Sequence, residues 1–93
     1  MNDAALTALA ASLRALPGSH TVEVLPAGPD RAGGTLPERV AIFAKNGKLA
    51  AQVWHSVTLG APTRPALLVC GPRERALLPF VARCTSVPVR TSY

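Results

Sequence analysis

Asn46-Gly47 joins two runs of alternating residues, Val40 to Lys45 and Lys48 to Val57, and no other feature limits the possible folds as much. Asn-Gly between alternating apolar residues is the strongest short-range hairpin signal, because a type I′ turn needs φ > 0 at both central positions. A two-residue turn also sets the strand register. That register pairs Lys45 with Lys48, Phe43 with Ala50, Ala41 with Gln52 and Arg39 with Trp54 on one face. The other face pairs Ala44 with Leu49, Ile42 with Ala51 and Val40 with Val53. The second face is aliphatic and reads as core. The first carries three cations, an amide, a Phe and the only Trp, an odd surface to leave in water.

The rest of the chain supplies partners for the aliphatic face. Leu6, Leu9, Leu13 and Leu16 recur at helical period behind Asn2 and Asp3, either of which can cap a helix, and Pro17-Gly18 ends it. Thr21 to Leu25 alternates and reads as a strand. Residues 26–37 are half Gly or Pro and are expected to form a flexible surface loop. Ala66 to Cys70 is a continuous apolar run of strand length, the pattern of a central strand covered on both faces. Gly71-Pro72 opens a second helix, with Pro at its first position and Leu77, Phe80, Val81 and Cys84 facing inward. Pro79 removes a helical hydrogen bond and is expected to kink or split this helix. Val87 to Thr91 returns as a strand, which Pro88 confines to an edge. The predicted fold is a single α+β domain over residues 1–93. Its sheet is four- to five-stranded and mostly antiparallel, with two helices and the order α-β-β-β-β-α-β, ending in a parallel βαβ unit.

Composition narrows the function classes. Lys and Arg exceed Asp and Glu by ten to five, a net charge of +5, but the basic residues are spread from Arg14 to Arg90 and form no arm. This is weak support for an acidic or nucleic-acid partner. Cys70 and Cys84 are too few for a disulfide framework. The first residues lack the positive n-region of a signal peptide, and no stretch approaches a membrane span, so a cytoplasmic protein with no membrane partner is expected. With two His and no short paired spacing, no metal site or cofactor is expected.

Cys70 is the best-placed reactive group, at the end of a strand and beside a predicted helix N-terminus, where a thiolate is stabilised. A cysteine-dependent phosphatase needs an Arg after five intervening residues, yet Ala76 stands there and Arg75 comes one early. A buried structural Cys is the favoured reading, and a cysteine-dependent enzyme is a distant third hypothesis for the chain. The segment Pro65-Ala66-Leu67-Leu68-Val69 through Arg73 to Val87-Pro88-Val89 and Ser92-Tyr93 faintly resembles the last βαβ subdomain of flagellar and type III export-gate proteins. The likeness covers under a third of the chain in common residues, nothing upstream agrees, and no functional reading is built on it.

Arg39, Phe43, Lys45, Lys48, Gln52 and Trp54 therefore form the candidate binding face. Trp and Arg are enriched at protein–protein hot spots. Cations interleaved with rings can also bind single-stranded nucleic acid. The expected function is a non-enzymatic interaction module of adaptor or inhibitor type, binding a protein partner through the hairpin face or an edge strand. A basic nucleic-acid-binding domain is the alternative, and a homodimer through an edge strand is a further expectation. If helix or loop covers Phe43 and Trp54, the face is lost.

Overall fold

The computed structural model describes residues 4–16, 18, 20–29, 31–56 and 66–91. Its elements, in chain order, are α1 (Ala4–Ala15), β1 (Thr21–Leu25), β2 (Gly28–Pro29), β3 (Thr35–Leu36), β4 (Arg39–Phe43), β5 (Leu49–Ser56), β6 (Ala66–Cys70), α2 (Glu74–Arg83) and β7 (Val89–Thr91). Five strands form one mixed sheet in the order β1-β4-β5-β6-β7. The first three pairings are antiparallel and β6 pairs with β7 in parallel, as a strand–helix–strand crossover requires. The α+β fold read from the sequence is the fold observed.

One side of the sheet is covered. Val22, Val40, Ile42, Ala51, Val53, Leu67 and Val69 alternate toward the helices and join Leu6, Leu9, Ala10 and Leu13 of α1 with Leu77 and Val81 of α2 in a single core. Val40, Val53, Val69 and Val81 are completely buried. The period-2 strand pattern and the period-3.6 helix pattern thus meet on one surface. No polar or charged residue is buried among the described residues, so the core is held by aliphatic packing alone.

The hairpin tip departs from the expected turn. Gly47 has φ +84°, but no other residue of the turn has positive φ, so it is not type I′. Gly47 N–H donates to the Ala44 carbonyl at 2.9 Å and Ala44 N–H to the Lys48 carbonyl at 2.8 Å, enclosing three residues, Lys45-Asn46-Gly47. Such loops follow a type I turn with one left-handed residue, and Gly adopts that conformation without the Cβ penalty Asn would incur. Asn46 Oδ1 instead accepts the Lys48 N–H at 3.0 Å. The longer turn corrects the expected register near the tip, placing Phe43 opposite Leu49 rather than Ala50. A bulge then restores the expected pairs Ile42–Ala51, Ala41–Gln52 and Val40–Val53. Both Ala50 and Ala51 consequently lie in the core.

That bulge seats the next connection. The Ala50 carbonyl accepts the Arg73 N–H at 2.9 Å. Gly71 passes so close that a Cβ on it would lie 2.7 Å from Ala51 Cα and 2.8 Å from Ala50 O. Only glycine fits there.

Three further expectations need correcting. Helix α2 begins at Glu74, with Pro72 in the preceding turn and Arg73 at the N-cap. Pro79 does not split the helix, which continues to Arg83. Pro79 and Arg75 are both exposed, so the carbonyl that loses its helical donor lies on the solvent side of a short helix. Phe80 does not face inward; it is 43% exposed, because the inward stripe of α2 is only as wide as Leu77 and Val81. Within the Gly/Pro-rich segment, β2 and β3 pair with each other in a small ribbon outside the main sheet, with Gly33 at φ +85° between them.

Candidate binding face of the sheet

Every side chain that alternates away from the helices lies on the opposite face of the sheet. Register arranges these side chains in rows. Leu25 is paired with Arg39, Trp54 with Leu68 and Leu68 with Arg90, and continuing the β4–β5 ladder by one step brings Arg39 opposite Trp54. The next row runs Glu23, Ala41, Gln52 and Cys70. Nearer the hairpin tip, Thr21, Phe43 and Leu49 form a third.

The helices do not reach this face, and none of Leu25, Phe43, Trp54 or Leu68 belongs to the core or packs against it. Phe43 and Trp54 are half-buried and Leu49 is exposed. Ala41, by contrast, is fully buried although it points the same way, because longer neighbours surround so short a side chain. The face therefore has a small floor and tall walls: the Trp54–Leu68 pair with Leu25 on one side, and Phe43 with Leu49 on the other.

Arg39 holds the floor in place. Its Nε donates to Gln52 Oε1 at 2.5 Å, and its Nη1 donates to the Pro26 and Pro37 carbonyls, each at 3.2 Å. A hydrogen bond from a charged donor is stronger than one between neutral groups. The guanidinium bridges β4, β5 and both ends of the 26–37 segment, so most of its donors are already engaged. Lys45 and Lys48 sit at the exposed tip, where the three-residue turn separates them from the rows. Lys45 lines a cleft with His20, Ala44, Asn46 and Arg73 instead. Of the residues singled out from the sequence, Arg39, Phe43, Gln52 and Trp54 are brought together, and the lysines stand apart.

Leu25 and Leu68 are part of the face and were missed by sequence reasoning. Leu25 carried a signal, since it lies two and four residues beyond Glu23 and Thr21 in an alternating strand. Leu68 carried none: a continuous apolar run reads as covered on both sides, whereas β6 is buried only at Leu67 and Val69.

Cys70 is half-buried on this face, opposite Gln52, whereas Arg75 lies exposed on α2 across the sheet. The pair that phosphate or sulfur transfer would need is not assembled. Cys84, at the end of α2, packs against the core, and burial pushes its thiol above the usual value. Among the described residues there is no group of three potential metal ligands and no helix long and apolar enough to cross a membrane. No family model matches the chain, and no curated protein or solved structure matches it either.

Proposed function

We propose that this chain is a non-enzymatic interaction module that binds a protein partner on the open face of its sheet. The observation that carries the reading is the one-sided packing of the helices, which leaves Trp54, Leu68, Leu25 and Phe43 outside the core. A central aromatic flanked by aliphatic side chains and a pre-ordered Arg is the composition of an interface hot spot. Pre-ordering matters because an arginine already fixed by three hydrogen bonds loses little further freedom on binding. The two free thiols fit a cytoplasmic, reducing location.

Nucleic acid is the less favoured occupant for two reasons. Arg39 is largely committed to internal acceptors. Phe43 and Trp54 are also separated along the sheet by the Ala41–Gln52 pair, about 13 Å for four residues of strand, so they form no continuous stacking platform. Pairing through an edge strand is less favoured too. Arg14 Nε bonds the Val22 carbonyl of edge strand β1 at 2.9 Å, and the other edge strand, β7, is three residues long behind Pro88.

Affinity capture from a cell extract, run beside a titration with mixed-sequence single-stranded DNA, tests the reading. The wild-type chain is expected to retain a partner that Trp54→Ala releases with a loss of at least roughly thirtyfold in affinity, the scale of a hot-spot truncation. Melting of the variant should stay close to wild type. DNA binding at low salt whose log K falls with log[salt] at a slope of roughly −2, matching contacts from Arg39, Lys45 and Lys48, would replace the protein partner with nucleic acid.

A further inference from the structure

On the helix side of the sheet, away from the proposed docking face, α1 and α2 leave a gap over part of β1 and β4. A cavity of about 280 Å³ lies between them, lined by Leu13, Leu16, Val22, Ile42, Leu77 and Phe80, with Gly18 and His20 at its border. His20 also borders a second, more open cleft with Ala44, Lys45, Asn46 and Arg73. His20 thus lines both spaces. An apolar slot and a cleft that holds a lysine and an arginine therefore adjoin at one histidine, and no carboxylate lines either space among the described residues.

We propose that this combined site binds a small amphipathic carboxylate, with its apolar body between the helices and its acid group at Lys45 and Arg73. The cavity lies near the lower end of the range for small-ligand pockets, about 300–1,000 Å³, so the apolar part is a short chain or a single ring. Such sites combine an apolar lining with few polar groups that orient the ligand. Phe80 fits the assignment: it is the most exposed large apolar side chain described, and it stands at the slot rather than in the core. Lys45 and Arg73 are both exposed and reach the cleft from separate segments, the hairpin tip and the N-cap of α2. The Arg73 N–H bond to Ala50 fixes the spacing of those two segments. A guanidinium and an ammonium so placed offer charge-assisted hydrogen bonds to one carboxylate.

The test is an NMR titration of the ¹⁵N-labelled full chain with octanoate, with octan-1-ol and octylamine as matched probes and acetate as the head group alone. Octanoate is expected to saturate with shifts confined to the neighbourhood of Leu16, His20, Val22, Lys45, Arg73 and Phe80. The alcohol and the amine should bind at least about tenfold more weakly, the value of one lost charge-assisted contact. Lys45→Glu with Arg73→Glu, both at exposed positions, should abolish octanoate binding and leave melting unchanged. Phe80→Ser should weaken octanoate and octanol together, which separates slot from cleft. Equal affinity for octanoate and octanol would overturn the anionic half of the site. Shifts centred on Trp54 and Leu68, or shifts that never saturate, would overturn the site itself. Binding of a blocked Phe-Asp dipeptide with no binding of octanoate would reassign the pocket to a peptide and overturn the small-acid reading.

Discussion

The two faces of the five-stranded sheet are built from the same strands and treat their side chains in opposite ways. Toward the helices the central strands present Val, Ile, Leu or Ala, and most of these residues are almost completely buried, with His55 and Thr91 on that side only near the sheet's margin. Away from the helices the same strands present Trp54, Phe43, Arg39, Gln52, Leu68 and Glu23, and most of these are half-buried or exposed. Side-chain size is distributed accordingly. The covered face uses short, branched side chains that mesh with helices, and the open face uses long ones that shelter Ala41 and Cys70 between them. A chain of this size has apolar surface for one two-layer core. The residues that stabilise the fold are therefore those facing the helices, and the open face is released for other chemistry.

The sharpest way to break this contrast is to truncate one leucine on each side. Leu6 is 1% exposed on the sheet-facing side of α1, whereas Leu68 is half-buried on the open face. Leu6→Ala should cost about 2–5 kcal/mol, the range for a core leucine that leaves a cavity. Leu68→Ala should cost about 1 kcal/mol or less, as a partly solvated site creates no cavity. Urea unfolding of the two variants checks this, with the m-value held constant. Equal costs would mean that the open face is covered and that the domain has a second core.

How much of this could be read from the sequence depended on whether the signal was a periodicity or a choice between neighbours. Alternation in Val40 to Ala44 and Ala51 to Val53 specified which side was aliphatic, and the leucine spacing of α1 specified what packed on it. The bulge, by contrast, puts Leu49, read as core, exposed on the other face and Ala50 in the core. The Gly71-Pro72 break and the apolar run before it were enough for the terminal strand–helix–strand unit. The turn was less legible, because Asn-Gly is compatible with a two-residue type I′ turn and also with a three-residue turn that has Gly alone left-handed. Only the Ala50 bulge, a long-range fit against Gly71 and Arg73, distinguishes them. Phe80 read as core for a related reason: helical spacing gives a direction but not the width of the layer opposite.

Gly47 sharpens the comparison at the one place where both faces end. Its φ of +84° is the only left-handed conformation in the turn. Gly47→Val should destabilise by about 1–2 kcal/mol, the cost of placing a Cβ in that conformation, and more for a branched side chain. Asn46→Ala should cost much less, since Asn46 needs no positive φ and loses only its exposed bond to Lys48 N–H. A type I′ turn would reverse that expectation by penalising both positions. Thermal melting of the two variants decides between the turns.

The smallest expected effect compares the two thiols, one on each side of the sheet. Burial pushes the Cys84 thiol above its ordinary value, so the folded chain holds that proton more tightly than the unfolded chain does. As pH rises past about 8.5, the ordinary value for a thiol, the unfolded chain ionises first, and stability must fall until the folded thiol also ionises. Below that pH the contribution is fully present and flat. Cys84→Ala should remove this part of the alkaline decline, and the difference in melting temperature between variant and wild type should narrow from neutral to alkaline pH. Cys84 should also react with iodoacetamide more slowly than free cysteine at neutral pH, since the thiolate is the nucleophile and burial disfavours it. Cys70, half-buried beside Gln52 on the open face, should be alkylated first, and its modification should leave melting nearly unchanged while interfering with any partner seated there. Faster labelling of Cys84 than of Cys70 would show that burial does not hold the Cys84 thiol protonated and would overturn the expected alkaline decline.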